Sequence, residues 1–356
     1  MSVLVTNLSA YLSPLLASPP VYTPSSLNPT QVHALAIATF SAELLEKFQE
    51  LTNDGRINGL MDIREGLVSL VTRVVNYLVN GLKNELMQLV DALEVPNTDF
   101  NAKNANHGRV AVIYHPSIVA LQSMMPIYQR YLTRCTTFAD AQPFLATFLI
   151  SIVWRAIVAL AHRPRQTLVA GITKSRSPIN TPPVTPPPSR FSIKLPPSRP
   201  ASPHVQPVIA STAADAQLLY ELLCQLPRPA GENESIHLAG EAVDEAFNSL
   251  KALGDLLGEA DVALYEANPE FKMDLDLPLL IILPVVLQYW GRGTHLSIAN
   301  MVGLSDQEYR RVCLSGFGRA EECETVIAQR VLDTLWKDTH VDLSVLGWIE
   351  NQILAD

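Results

Sequence analysis

"LVSLVTRVVNYLVNGLKNELMQLVDAL", residues 67–93, decides the fold class. Leu67, Leu70, Val71, Val74, Leu78, Leu82, Leu86, Leu89 and Leu93 recur at three- and four-residue steps, the period of one helix face. With its flanks the pattern predicts a helix over residues 60–94, reaching about 50 Å at ~1.5 Å per residue. Gly81 is its weak point, because glycine lowers helix propensity.

Working outward, Asn28-Pro29-Thr30-Gln31 opens a helix over "TQVHALAIATFSAELLEKFQEL", with Asn28 as N-cap and Pro29 first in the helix. Another begins at His115-Pro116 and runs to about Arg134, and the next covers 141–162. Helices resume at Ser211-Thr212, with Asp215 set as a first-turn partner, and continue to about Leu226. Residues 233–266 read as a long amphipathic helix. "LPLLIILPVVLQYW", 277–290, reads as a short buried helix kinked at Pro284, with three or four short helices beyond it. No alternating strand pattern stands out. The fold class is therefore all-α: one or more helical bundles interrupted by a long break.

That break is compositional. Residues 163–210 hold twelve of the chain's 26 prolines, seven basic residues and no acidic one. Proline at that density removes backbone donors and favours extended conformations, so the stretch reads as a disordered linker. Four regions follow: a flexible uncharged N-terminal segment (1–27), an N-terminal helical bundle (28–162), the basic linker (163–210) and an acidic helical region (211–356). Whether the two helical parts are separate bundles or one is left open by the sequence. The last region carries nine basic against twenty-four acidic residues, a net of −15 within a chain of net −9. Such a surface disfavours bulk attraction to phosphate backbones.

Four cysteines, Cys135, Cys224, Cys313 and Cys323, lack C-x-x-C spacing, which points to free thiols, buried ones, in a reducing compartment. Neither a basic n-region nor an arginine-rich leader opens the chain. The expected location is intracellular, cytoplasmic and/or nuclear. Residues 143–161 are apolar enough to raise the question of a membrane. Their ten Leu, Ile, Val and Phe residues, at about −0.3 to −0.6 kcal/mol each, balance or exceed Arg155 at about +3. A buried bundle helix accounts for the same pattern, with Arg155 reaching a carboxylate or the surface, and is the reading preferred here.

Chemistry is sparse. Glu234-Ser-Ile-His237, with Glu241 and Glu245, has the Glu-x-x-His spacing of a di-iron helix, but the required second copy is missing. Gly316-Phe-Gly318 before a helix places amides where an anion could sit, yet it lacks the remaining dinucleotide and P-loop residues, so a capping role is expected. G-x-S-x-G and H-E-x-x-H do not occur. No catalytic residue, metal or cofactor is assigned. Residues 294–316, "THLSIANMVGLSDQEYRRVCLSG", resemble a helix-turn-helix. Gly303 supplies the turn, Ser305 to Glu308 form a capping box, and Ser305, Gln307, Arg310 and Arg311 face outward as candidate nucleic-acid contacts.

The linker carries the densest signals. Ser177, Thr181, Thr185 and Ser202 each precede proline, as minimal proline-directed kinase sites. Phosphorylating all four would add roughly −1.5 to −2 charges at each and reverse the local +7. Lys194, Pro197 and Pro200 fit the basic-then-P-x-x-P spacing read by SH3-type grooves, and Arg190, Ile193 and Leu195 have the form of a kinase docking peptide. The reading that follows is a non-enzymatic helical adaptor or regulatory protein in signalling, cell-cycle or developmental control. It would bind protein partners, including a proline-directed kinase or SH3-type domain, with its linker regulated by phosphorylation. A transcriptional regulator using 294–316 and a helical enzyme of unknown chemistry are the alternatives.

Overall fold

A computed structural model of the chain describes residues 2–17, 29–52, 61–96, 112–165, 208–263, 277–291, 297–337 and 342–355. Among these residues the protein is all-α, with twelve α-helices and one two-residue parallel bridge. The quoted stretch is α3 (Met61–Asp91), running unbroken through Gly81 and ending in a 3-10 turn at Ala92–Glu94. Its stripe of Leu67, Leu70, Val71, Val74, Leu78, Leu82 and Leu86 is buried as the period requires.

Around it lie α2 (Pro29–Thr52), α4 (Pro116–Cys135) and α5 (Gln142–Ala161). The C-terminal part supplies α6 (Thr212–Leu223), α7 (Glu234–Ala263), α8 (Leu279–Trp290), α9 (Ile298–Met301), α10 (Asp306–Cys313), α11 (Phe317–Leu335) and α12 (Leu343–Ala355). The first helix, α1 (Ser2–Ala17), corrects the reading of 1–27 as flexible: residues 2–17 pack on α3 and α2. Uncharged helix formers with Leu12 buried give α1 an apolar face, and Gly66 of α3 leaves the gap that Val5 fills.

The centre of the fold is α5, which packs against α3 on one side and against α7 and α8 on the other. Fourteen of its twenty residues are buried, including an unbroken run from Ala156 to Ala161. A helix apolar all round must be enclosed on all sides. By length and composition residues 139–161 are also sufficient to cross a membrane, and here most of that surface is covered by neighbouring helices. Arg155, the charge within the stretch, forms a two-pronged pair with Asp91 at 2.8 and 2.7 Å. The α8 segment is buried continuously from Leu279 to Leu287, with Pro284 inside the helix.

One contiguous apolar core therefore joins residues from both parts of the chain. Polar contacts cross the same seam. Gln142 accepts the Ala230 amide at 3.1 Å, Trp154 Nε1 donates to the Leu314 carbonyl at 2.8 Å, and Arg310 pairs with Glu94. The cysteines are free, but only Cys135 and Cys313 are buried; Cys224 is exposed and Cys323 half-buried.

The ends assigned to the linker also belong to the folded body. Arg163 is buried, Val208–Ile209 pair with Val112–Ile113, and the Ala210 amide donates to the Ile113 carbonyl at 2.9 Å. Only 166–207 lies outside the described residues in that region.

Candidate functional site

The linker candidates Ser177, Thr181, Thr185, Ser202, Arg190, Ile193, Lys194, Leu195, Pro197 and Pro200 all lie outside the described residues. What the structure does define is how that stretch is anchored. Arg163, just beyond α5, donates to Asp215 Oδ2 at 2.6 Å, and both side chains are 1% exposed. Asp215, in the first turn of α6, also accepts the His115 amide on Oδ1 at 3.1 Å. One buried carboxylate thus ties together the start of α4, the end of α5 and the start of α6.

His115 completes the node as the N-cap of α4. Its Nδ1 accepts the Ser117 amide at 3.2 Å, so Nε2 carries the proton and donates to the Val95 carbonyl at 3.1 Å. The ring works only when neutral. Burial, and then the Arg163 guanidinium, hold its pKa below the ordinary histidine value, although Asp215 pulls the other way.

A second set of groups lies where α10 crosses the end of α5. A cavity of about 360 Å³ is lined by Glu94, His162, Gln288, Asp306, Tyr309 and Arg310 among others. His162 Nδ1 donates to the Val158 carbonyl at 2.9 Å, and burial, aided by Arg310, pushes its pKa down to about 4. Its Nε2 and the Tyr309 hydroxyl are buried without hydrogen-bond partners among the described residues, the two rings 6.2 Å apart. Burial raises Glu94 despite its ion pair with Arg310. Ser297, Asp306 and His162 share this wall, but Ser297 donates to Asp306 at 2.7 Å and His162 to backbone. The histidine is thus not placed between hydroxyl and carboxylate, as a nucleophile–base–orienter relay requires.

On the other side of Arg310 a larger cavity, about 700 Å³, opens between α3, α5 and the α10–α11 corner. Lys83, Arg155, Arg310 and Arg311 all line it, together with Gln307 and Phe317. Three of the four candidate nucleic-acid contacts, Gln307, Arg310 and Arg311, therefore meet in one place. Ser305 is the N-cap of α10, accepting from the Glu308 amide and donating its own to Glu308, the capping box expected of it. Gly303 makes the turn with φ of +75°.

The outward-facing arrangement needs correction at Arg310, which turns in to Glu94 at the seam. The first helix of the motif, α9, is also a single turn of four residues, because Val302 and Gly303 end it at once. Lys83 had no signal in the sequence, and Arg155 was expected only to reach a carboxylate or the surface, as it does at Asp91; tertiary packing alone brings the two beside α10.

Of the remaining motifs, His237 and Glu241 form an exposed pair at 3.3 Å, and no group of three or more metal-ligating side chains occurs among the described residues. Gly316 is the N-cap of α11, with no side chain capping the first turn. Compared with protein-family models, with curated proteins and with solved structures, the chain has no match.

Proposed function

We propose that the protein is a non-enzymatic helical adaptor or regulatory protein, whose basic proline-rich segment binds protein partners under the control of phosphorylation. One observation carries this reading: both ends of residues 166–207 are fixed to the same folded body. Arg163 and Asp215 touch side chain to side chain, and Val208–Ile209 are held by Val112–Ile113.

A spacer is useful between bodies that must move apart. Here the two helical parts share a core, and backbones joined by an Arg–Asp contact lie within about 13 Å, a gap about four extended residues span. The chain instead runs 42 residues, from 166 to 207, between its described ends. A connection that long exceeds what joining the two ends requires, and closing it carries an entropic cost that a short connection avoids. Four Ser/Thr-Pro sites, a P-x-x-P element and five cations without an acid give this segment recognition chemistry.

The test compares partner capture by the intact protein, phosphorylated with a proline-directed kinase, and by a variant with Ala at 177, 181, 185 and 202. Binding that differs between the two supports the reading. Identical partners and affinities, with and without phosphate, contradict it.

A further inference from the structure

We propose that the cavity between α3, α5 and the α10–α11 corner is a binding site for a phosphate monoester. Its volume, about 700 Å³, exceeds what one phosphate needs and leaves room for the group that carries it. Four cationic side chains line it, and no carboxylate is among its lining residues. Asp91 and Glu94 neutralise Arg155 and Arg310 respectively, so the cavity's uncompensated charge rests on Lys83 and Arg311.

Neither of those two cations has an ion-pair partner among the described residues. Lys83 is half-buried on α3, has no hydrogen-bond or ion-pair partner among the described residues, and its ammonium is pushed down in pKa by burial. A desolvated, unpaired ammonium costs free energy that a bound anion would return. Arg311 is exposed on α10 and forms no ion pair among the described residues, while the neighbouring Glu308 carboxylate is engaged by Ser305 in the capping box.

The N-terminal end of α11 adds donors to the same wall. Gly316 and Phe317 both line the cavity, no side chain caps this 19-residue helix, and a Cβ built at Gly316 meets nothing within 4 Å. Free amides and the positive helix end complement an anion already attracted by the two cations. Three donor groups from three elements line the same cavity, equal in number to the three terminal oxygens of a phosphate monoester, whereas a carboxylate offers two. Met87, Ile150, Trp154 and Leu314 give the wall an apolar part that would strengthen the electrostatic attraction, and Ser151, Gln307 and Ser315 add neutral polar groups.

This site stands independently of the proposed adaptor role. Titration calorimetry on the full-length protein, in chloride buffer of matched ionic strength, would use two probes: inorganic phosphate and a peptide of residues 178–188 phosphorylated at Thr181. Saturable one-to-one phosphate binding is expected. Lys83→Gln and Arg311→Gln should each weaken it about tenfold or more, the scale of one lost charged hydrogen bond. Gly316→Asp supplies its own carboxylate cap, so it should abolish binding while raising the melting temperature, which separates loss of the site from loss of the fold.

Peptide binding tighter than phosphate identifies a phosphorylated peptide as the ligand; phosphate binding without peptide binding identifies a small phosphorylated molecule. No saturation at millimolar phosphate, or unchanged affinity in the Lys83 and Arg311 variants, overturns the proposal.

Discussion

Asp215 shows how much one residue can organise. Its carboxylate is buried, yet both oxygens are engaged, one by the Arg163 guanidinium and one by the amide of His115. Asp215→Ala would leave Arg163 buried without its counter-charge, and such losses cost roughly 3–5 kcal/mol. Urea unfolding should show the unfolding free energy lowered by that amount, with the midpoint moved to lower urea accordingly. A paired change to Leu at 215 and Met at 163 should recover much of it, since apolar replacement of a whole buried pair is often close to neutral.

The two buried histidine rings predict a pH dependence. His115 and His162 both have folded-state pKa values below the ordinary 6.5, His162 at about 4. The unfolded chain therefore binds protons that the folded chain refuses, and stability falls as the pH drops below about 6.5 toward 4. For His162 alone the loss by pH 5 is about 2 kcal/mol. Urea midpoints at pH 7.5 and pH 5 should differ in that direction, and His162→Gln should flatten the difference.

At the scale of elements, most helices were legible because period and capping act locally. Asn28-Pro29, His115-Pro116 and Ser211 mark the starts of α2, α4 and α6 within a residue, and Ser305 and Glu308 form the capping box their spacing implies. The misses share a cause. The α1 helix carries no charge and no clear cap, and its position depends on a cleft in a distant helix. A Cβ built at Gly66 would stand 2.8 Å from Val5 Cγ1, so the two helices meet through that gap. Gly66→Val should release α1, seen as faster amide exchange over residues 2–17 with little change in the melting of the rest.

The helix-turn-helix resemblance is altered at one residue for the same reason. Turn and cap were correct, but Arg310 answers to Glu94, 216 residues away in sequence. The basic cavity was half-legible: Gln307 and Arg311 were named together, and Gly316-Phe-Gly318 was read as a conceivable anion cradle, whereas Lys83 and Arg155 enter only through packing.

At the scale of the whole molecule, the decisive feature is invisible to composition. Charge divides the chain into a near-neutral part, a basic linker and an acidic part, which suggests two bodies on a tether. Packing overrides that division, because α5, from the first part, is the helix against which α7 and α8, from the second, are laid. Sequence patterns identify which face of a helix is buried, not which partner buries it, so one bundle and two look alike until contacts are known.

The claim that both parts form a single body can be tested by cutting the chain between them. A specific protease site placed within 166–207 would be cleaved and the product examined by size-exclusion chromatography and thermal unfolding. The account predicts that the two fragments stay together without the covalent link, co-elute, and melt in one cooperative transition close to that of the intact chain. Fragments that separate and melt independently would contradict it.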